Sequence, residues 1–257
     1  PDAVFIGGGV SDPRLFEAAW EPLKHDGRFV ANAVTLDGEA RLAALNASYG
    51  GELVRIAEGR TPWQVFHDEG MIGNTRADLC SRILKRDLAD KWLAENRDPA
   101  NTIIYVGIDW TEAHRFDDGK GGGAKNRYAR LGWRCEAPMI DPPHWARDDI
   151  LAELQLAKIA PPRLYAQGFA HNNCAGGCIK AGQGQFAHLL RMRPEVFAEW
   201  EREETAFREH TGKDVSVLRD RRGGVTRPMP LRDFREHIQA GGQYDLFEIG
   251  GCGCFVG

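Results

Sequence analysis

No stretch of this sequence is apolar for long enough to cross a membrane, which argues against a membrane protein. Nor does the chain carry an excess of positive charge: its formal net charge of −4 gives no basis for non-specific nucleic-acid binding. No internal repeat, low-complexity tract or signal-peptide pattern is visible. We therefore expect a globular cytoplasmic protein whose 257 residues form one large domain or two small ones.

Six cysteines are present, and four of them lie in two short, glycine-flanked turns. Cys174 and Cys178 enclose two glycines that let the chain fold back, so both thiols can face one centre. Cys252 and Cys254 are two residues apart, which places both side chains on one side of an extended segment. Four converging thiolates suit zinc or an iron–sulfur cluster. Four reduced thiols packed as small apolar groups, or a disulfide pair, are the alternatives.

Short apolar strands alternate with helical patterns in the first part of the chain, which predicts βαβ units and a parallel sheet. The predicted strands of that sheet are Ala3–Ile6, Arg28–Val34, Glu52–Ile56 and Thr102–Val106. The expected fold is therefore α/β: a Rossmann-like three-layer fold with a mostly parallel sheet, followed by a C-terminal helical, cysteine-rich subdomain.

Helix-start signals place further elements along the chain. Proline at the first helical position predicts helices that begin at Pro62 and at Pro194. Other helices are predicted at residues 38–47, 80–96 and 231–240, and a flexible loop at residues 117–127.

One candidate site follows the strand that ends at Gly107. Asp109, Glu112 and Arg115 lie just beyond its carboxyl end, where open α/β sheets bind ligands. The alternative is a surface loop in which the carboxylates and Arg115 only pair with each other.

Basic residues form two candidate anion sites. Arg76 and Lys85, with Arg82 and Arg86, surround Cys80, and guanidinium and ammonium groups suit phosphate or sulfate. Such a field would also give Cys80 thiolate character, and Cys80 or His171 could replace one thiol of the metal site. A solvated basic helix face is the alternative. Arg221 and Arg222 form the second cluster, for which a solvated turn is the alternative; Cys135 is predicted to be a buried strand residue.

The first 56 residues resemble the later part of the decarboxylating precorrin methyltransferases of cobalamin synthesis. The matching words are DAVFIGGG, LFEAAW, DGRFVANAVTLDGEARL and GGELVRIA. The resemblance implies a Rossmann-like fold that binds S-adenosylmethionine. The glycine motif with which that family binds the cofactor lies upstream of the matching part, so the resemblance predicts weak S-adenosylmethionine binding or none.

From about residue 50 to residue 256 the sequence resembles a phosphoadenosine-phosphosulfate-reductase-like family of the PP-loop, or adenine nucleotide α-hydrolase, superfamily. The words that carry it include EGRTPWQVFHDEGMIGNTRADLCSRILKR, YVGIDWTEAHR, PPRLYAQGFAHNNCAGGCIKAG and GGCGCF. The resemblance implies that Asp109, Glu112 and Arg115 line a cleft for an adenine nucleotide, either ATP or a nucleotide like phosphoadenosine phosphosulfate.

In that second family a Ser-Gly-Gly-x-x-Ser turn cradles pyrophosphate. Gly7, Gly8, Gly9 and Ser11 occupy the corresponding place here, and their backbone N–H groups can still form an anion nest. The serine hydroxyls at both ends of the motif are missing, and Asp12 would repel phosphate. We therefore expect the turn to fold but to bind pyrophosphate poorly.

The two resemblances together predict a chimera of three parts. Residues 1–56 form a methyltransferase-like βαβαβ segment, residues 57–160 a PP-loop-like α/β part, and residues 161–257 the cysteine-rich subdomain. The expected function is adenine-nucleotide binding with sulfur or adenylyl transfer. The alternatives are a fragment of an S-adenosylmethionine-dependent precorrin methyltransferase and an inert metal-binding chimera.

Overall fold

The computed structural model of the chain describes residues 3–6, 20–21, 23–25, 28–31, 36–50, 56–73, 79–106, 108–142, 144, 148–149, 152, 163–169 and 174–244. Among the helices in these residues, none is both long and apolar enough to cross a membrane.

The described residues form short strands and helices of three to 18 residues. The strands are β1 (Ala3–Ile6), β2 (Arg28–Ala31), β3 (Ile103–Tyr105), β4 (Arg134–Glu136), β5 (Leu218–Asp220) and β6 (Arg227–Met229). The α-helices are α1 (Leu36–Tyr49), α2 (Pro62–Glu69), α3 (Leu79–Ser81), α4 (Asp87–Asn96), α5 (Gly123–Arg130), α6 (Arg163–Ala166), α7 (Gln183–Met192), α8 (Pro194–Thr211) and α9 (Leu231–Gln239). A π-helical segment, Arg82–Arg86, joins α3 to α4, and 3₁₀ helices cover Pro99–Asn101, Trp110–Arg115, Pro138–Ile140, Cys174–Gly176 and Arg222–Gly224.

The chain divides into two compact units, each built from separated segments. The first unit comprises Pro1–Ile56, Asp90–Pro161 and Phe255–Gly257. The second comprises Ala57–Ala89 and Pro162–Cys254.

Parallel strand pairs characterise the first unit. β1 pairs with β2, with Ala3 opposite Arg28, and β3 pairs with β4, with Ile103 opposite Arg134. A parallel pair needs a crossover connection, and α5 lies in the chain between β3 and β4. The general α/β class is thus confirmed, as a mixture of helices with small parallel sheets. The described residues do not show a Rossmann fold or a four-stranded sheet, because β1–β2 and β3–β4 are separate pairs. Most of the predicted strand Glu52–Ile56 lies outside the described residues.

The predicted loop at residues 117–127 is wrong at its C-terminal end, where α5 begins at Gly123. Its first part is ordered by two carboxylates, Asp117 and Asp118; Asp117 accepts a hydrogen bond from the Gly119 N–H at 3.0 Å. Asp118 accepts hydrogen bonds from the backbone N–H groups of Lys120 and Gly122, both at 2.8 Å. Asn126 then donates from its side chain to the Gly122 carbonyl at 2.7 Å. These local bonds satisfy the backbone at the start of the helix and offset its high glycine content.

Helix termini in the second unit follow the predicted signals. Thr61 caps α2: its hydroxyl accepts from the Gln64 N–H at 3.2 Å, and its own N–H donates to the Gln64 side chain at 2.7 Å. This reciprocal pair is a capping box, with Pro62 at the first helical position. α8 begins at Pro194, and Gly212 caps its C-terminal end. Gly212 has a φ of 65°, in the left-handed region that glycine adopts easily.

Aromatic side chains from several helices form the core of the second unit. Trp63 of α2 packs edge-on against Trp200 of α8, with ring centroids 5.4 Å apart, and Phe186 of α7 lies 5.6 Å from Trp200. Phe186 and Phe207 are completely buried. Side chains of this size each contribute about 2–3 kcal/mol by burial, so the core holds these helices in place.

Candidate functional site

The turn from Cys174 to Cys178, here named the cysteine turn, has an unusual backbone. Its first three residues form a 3₁₀ turn, closed by a hydrogen bond of 3.0 Å from the Gly177 N–H to the Cys174 carbonyl. Cys174 and Ala175 both have positive φ, 50° and 54°. Side-chain-bearing residues seldom adopt this region, and strain of this kind persists only where the surroundings hold it.

Gln185 of α7 and Arg193, which lies between α7 and α8, hold the cysteine turn in that conformation. Gln185 donates to the Gly176 carbonyl at 2.7 Å, and Arg193 donates to the Ala175 carbonyl at 2.9 Å. The glycines of the turn are needed for close packing as well as for chain reversal. A Cβ atom at Gly176 would lie 2.8 Å from the Phe169 ring, so only glycine fits there.

Cys80 comes from a distant part of the sequence and lies beside a second backbone irregularity. It belongs to α3, which the π-helical segment Arg82–Arg86 follows directly. The Asp87 N–H donates to the Arg82 carbonyl, one residue further back than in an α-helix. Single π turns within helices are frequent at functional sites.

The cysteine turn and the α3–π segment meet at one cavity of about 50 Å³. Its lining residues are Pro62, Cys80, Ser81, Leu84, Lys85, Cys174, Cys178, Ile179, Lys180 and Trp200. Cys174 is exposed, Cys80 is half-buried, and Cys178 is only 7% exposed. The cavity, here named the thiol cavity, therefore combines three thiols with two ammonium groups and an indole.

The predicted metal ligands are only partly described. Cys174 and Cys178 share the thiol cavity, whereas Cys252 and Cys254 lie outside the described residues, as does His171. Within the described part of the chain, no group of three or more His, Cys, Asp or Glu side chains is arranged to hold a metal ion. A four-cysteine centre consequently stays a prediction that needs Cys252 and Cys254.

Asp109, Glu112 and Arg115 lie in the first unit, on the 3₁₀ helix that follows β3. Asp109 is the N-cap of this helix and accepts from the Thr111 N–H at 2.8 Å. Glu112 and Arg115 form an ion pair with an N···O distance of 2.5 Å. Local structure accounts for these contacts, and a ligand-binding role for the three residues stays a prediction.

The predicted anion-binding residues are dispersed. Lys85 lines the thiol cavity, and Arg222 forms two side-chain hydrogen bonds with Asp220, at 2.8 and 2.9 Å. This pairing lowers the pKa of Asp220 to about 2. Arg221 lies next to it, at the N-terminal end of the same 3₁₀ turn. The remaining predicted residues, Gly7, Gly8, Gly9, Ser11 and Arg76, lie outside the described part of the chain.

Six lining residues of the thiol cavity were not predicted as site residues: Pro62, Ser81, Leu84, Ile179, Lys180 and Trp200. Ser81 is 3% exposed and follows Cys80 directly, and Trp200 was predicted only as an apolar residue of its helix. Lys180 follows Cys178 by two residues, and this proximity of a basic group to a cysteine was the available signal. Cys80 was predicted as a possible replacement for one thiol of the metal site, and it lines the same cavity as Cys174 and Cys178; its role as a ligand stays a prediction.

Known proteins match this chain in its N-terminal part. Residues 1–63 match the family model described as precorrin methyltransferase domain. The precorrin-6Y C(5,15)-methyltransferase [decarboxylating] of Sinorhizobium sp is 59% identical over 56 residues, and that of Mycobacterium tuberculosis (strain ATCC 25618 / H37Rv) is 49% identical over 56 residues. In both cases the match covers 22% of this chain and 14% of the relative. No solved structure matches the chain.

These matches confirm the predicted resemblance of the first 56 residues to precorrin methyltransferases. They contradict the predicted main function, that of a phosphoadenosine-phosphosulfate-reductase-like, PP-loop nucleotide-binding protein, because what they support is the methyltransferase alternative. The sequence words behind the wrong prediction include the segments of the cysteine turn and of Asp109 to Arg115. These words cover short helices, turns and the end of β3, and such local elements by themselves carry no function.

Proposed function

We propose that the N-terminal part of this chain serves the function of the decarboxylating precorrin methyltransferases: methyl transfer from S-adenosylmethionine to a precorrin. The observation that carries the proposal is the 59% identity over 56 residues to a precorrin-6Y C(5,15)-methyltransferase. The chain spans about 14% of the length of that relative, so activity of the whole chain is part of the proposal.

The backbone of the matched segment agrees with this function. β1 and β2 run parallel and in register from Ala3–Arg28 to Ile6–Ala31, and α1 follows β2. Strands joined in parallel bring their carboxyl ends to one edge of a sheet, which is where open α/β sheets bind ligands. This parallel pair, followed by a helix, supports the proposal, and a Rossmann-like cofactor fold is part of what is proposed.

Methyl transfer is the direct test. The full chain is incubated with methyl-labelled S-adenosylmethionine and a precorrin, and label in the tetrapyrrole is measured; calorimetry gives cofactor binding in parallel. We expect labelled product with the unmodified chain, in low yield, because the glycine motif with which the family binds the cofactor lies upstream of the matched part and S-adenosylmethionine should bind weakly. Absence of both label transfer and S-adenosylmethionine binding would contradict the proposal.

A strand variant connects any activity to this segment. Phe29 lies opposite Val4 in the parallel pair, so Phe29→Pro removes a backbone N–H donor from β2 and should abolish the activity. Phe29→Val keeps the donor and a strand-favouring residue, and should keep the activity. Equal activity of the two variants would place the reaction outside the matched segment.

A second function, metal binding, is favoured by a separate observation: Cys174 and Cys178 line one cavity. We infer that these two cysteines, with Cys252 and Cys254, hold zinc or an iron–sulfur cluster. The donor set fits, since four thiolates suit either group, and two of the four already face a common space.

Metal analysis and an absorption spectrum of anaerobically purified chain test this second function. Visible thiolate-to-iron absorption indicates a cluster, and zinc without such absorption indicates a zinc site. Cys178→Ser should lose the metal, and Cys135→Ser, which changes a thiol of the other unit, should keep it. A chain that carries neither metal would overturn this function and leave the methyltransferase proposal unaffected.

A further inference from the structure

Two histidines of the second unit meet where α2 and α8 end. His67 lies in the last turn of α2, and His210 lies in the last turn of α8. Their ring centroids are 5.7 Å apart, with an angle of 60° between the ring planes. The two residues are far apart in the sequence, so the packing of the two helices brings their imidazoles together.

The separation of the two rings suits a single metal ion between them. Zinc–nitrogen bonds are about 2.0–2.1 Å long, so one ion bound to a nitrogen of each ring places the ring centroids about 5 Å apart at a tetrahedral angle and about 6.5 Å apart at most. The observed 5.7 Å lies between these values. The two helices therefore need not shift for both rings to reach a common ion.

Both rings have nitrogens available for a ligand. Within the part of the chain that the structure describes, His67 and His210 form ring contacts, and neither imidazole takes part in a hydrogen bond or an ion pair. Two other histidines of the second unit differ: His188 and His237 each place Nε2 against a backbone carbonyl oxygen, at 2.7 and 2.8 Å. His210 is exposed and His67 is half-buried, so an ion can reach them from solvent.

Phe207 holds the ring of His67 in position. Phe207 is completely buried, and His67 packs edge-on against it with ring centroids 5.3 Å apart. His210 follows Phe207 by three residues on α8, a spacing that places both on one face of the helix. A ligand group that is already held in place loses less conformational freedom on binding, which favours binding of an ion.

The helix ends give this place a field that favours a cation. The C-terminal end of a helix carries partial negative charge, and the last turns of α2 and α8 both lie here. One cation is already bound to such an end: the Lys213 ammonium donates to the Gly70 carbonyl at 2.5 Å, directly after α2. This ammonium repels a second cation, so binding of an ion depends on bonds to both imidazoles.

We propose that His67 and His210 form a two-histidine site for a divalent transition-metal ion, which joins the C-terminal ends of α2 and α8. Each imidazole supplies one nitrogen, and water completes the coordination, since the described residues hold no group of three His, Cys, Asp or Glu side chains arranged for a metal ion. Imidazole suits zinc, copper and nickel, whereas magnesium and calcium prefer oxygen ligands. Neither histidine lines the thiol cavity, so the site is separate from the proposed cysteine centre.

Histidine labelling of the full chain tests this site. Diethyl pyrocarbonate modifies histidines that it reaches from solvent, and mass spectrometry maps the labelled positions with and without zinc chloride. We expect zinc to protect His67 and His210 together, because one ion occupies a nitrogen of each ring. Magnesium chloride should leave their labelling unchanged, and zinc should leave the labelling of His237 unchanged.

Single variants show whether one ion uses both rings. In His210→Gln, zinc should no longer protect His67, and in His67→Gln it should no longer protect His210. His210 is exposed, so His210→Gln should fold as the unmodified chain does, and His237→Gln is the control that should keep both protections.

Three results would each overturn the proposal. The first is zinc that binds the chain but protects neither His67 nor His210, since the ion then occupies the cysteines alone. The second is protection of His67 that survives His210→Gln, and the third is equal protection of His237.

Discussion

Gly177 lies directly against Trp200: a Cβ atom at Gly177 would stand 2.7 Å from the indole Cε2. Trp200 is 8% exposed and surrounded by the aromatic core, so it has little room to move. We therefore expect Gly177→Ala to lower the free energy of unfolding by about 1–3 kcal/mol, the usual range for overpacking. Urea unfolding followed by fluorescence measures this change.

Gly223→Ala is the control for this substitution. Gly223 has a φ of +71°, and a Cβ atom there would meet no other atom within 4 Å, so alanine costs only backbone strain, about 1 kcal/mol. Because Trp200 lines the thiol cavity, Gly177→Ala should also change the alkylation rate of Cys178, which Gly223→Ala should not. An unchanged alkylation rate in both variants would show that the packing of Trp200 does not shape the cavity.

Glu204 should make the stability of the second unit depend on pH. Its carboxylate is 1% exposed and accepts from the Val217 N–H at 2.6 Å and the Leu231 N–H at 2.5 Å. Burial raises its pKa to about 7, against the lowering effects of these two bonds and of Arg208, while Asp233 adds to the rise. The folded chain then binds a proton that the unfolded chain has released, so stability falls as the pH rises from about 4.5 to about 7.

The pH dependence is measured by urea unfolding at several pH values. Between the two pKa values its slope for this one group approaches about 1.4 kcal/mol per pH unit. Glu204→Gln should remove this component, at a cost of about 1–3 kcal/mol at low pH, since an amide cannot accept from both N–H groups through two oxygens. Glu209→Gln, on the exposed surface of α8, should keep the slope of the unmodified chain. The same slope in the Glu204→Gln variant would rule out Glu204 as its source.

Elements with a strong local signal could be predicted from the sequence. α2 begins at Pro62 and α8 begins at Pro194, and Gly212 caps the C-terminal end of α8. Proline and glycine give strong signals because they act on the backbone directly. α7 has no such signal at its start, since Gly182 caps it without a side-chain bond, and it was not predicted. The π segment was missed because its residues favour an ordinary α-helix.

The candidate site could be predicted only where it is local. The spacing of Cys174 and Cys178 around two glycines indicated a turn with two facing thiols, and both line one cavity. The contribution of Cys80 depends on how α3 packs in the core of the second unit, which no spacing expresses. The function was wrongly predicted from words that begin near residue 50, whereas the matching family model covers residues 1–63, and a local resemblance does not by itself carry a function.

Removal of the capping box should weaken α2. Thr61→Ala deletes the hydroxyl that accepts from the Gln64 N–H and should cost about 1 kcal/mol of unfolding free energy. α2 contributes the buried side chains of Trp63, Val65 and Phe66 to the core, so a weaker α2 should lower the stability of the whole second unit. Thr61→Ser keeps the hydroxyl and should restore most of the stability. Equal stability of the two variants in urea unfolding would mean that the cap contributes nothing.

In the first unit, Arg127 of α5 forms an ion pair with Asp90 of α4, in which both terminal nitrogens of the guanidinium donate to the carboxylate. The nitrogen–oxygen distances are 3.1, 3.2 and 3.1 Å, and the two side chains are only 15% and 28% exposed. Such a bidentate, partly desolvated pair is stronger than an ordinary surface ion pair. We expect a coupling free energy of about 1–2 kcal/mol from a double-mutant cycle of Arg127→Ala and Asp90→Ala.

The pair Lys91–Glu95 provides the comparison on the same helix. Its N···O distance is 3.9 Å and its side chains are 73% and 60% exposed, so solvent screens it and its coupling should stay below about 0.5 kcal/mol. Arg127→Lys separates charge from geometry, because an ammonium group keeps the charge but cannot form the parallel bonds. If geometry gives the pair its strength, Arg127→Lys should lose most of the coupling, and added salt should reduce the remainder. Full coupling in the lysine variant would show instead that charge alone joins the two helices.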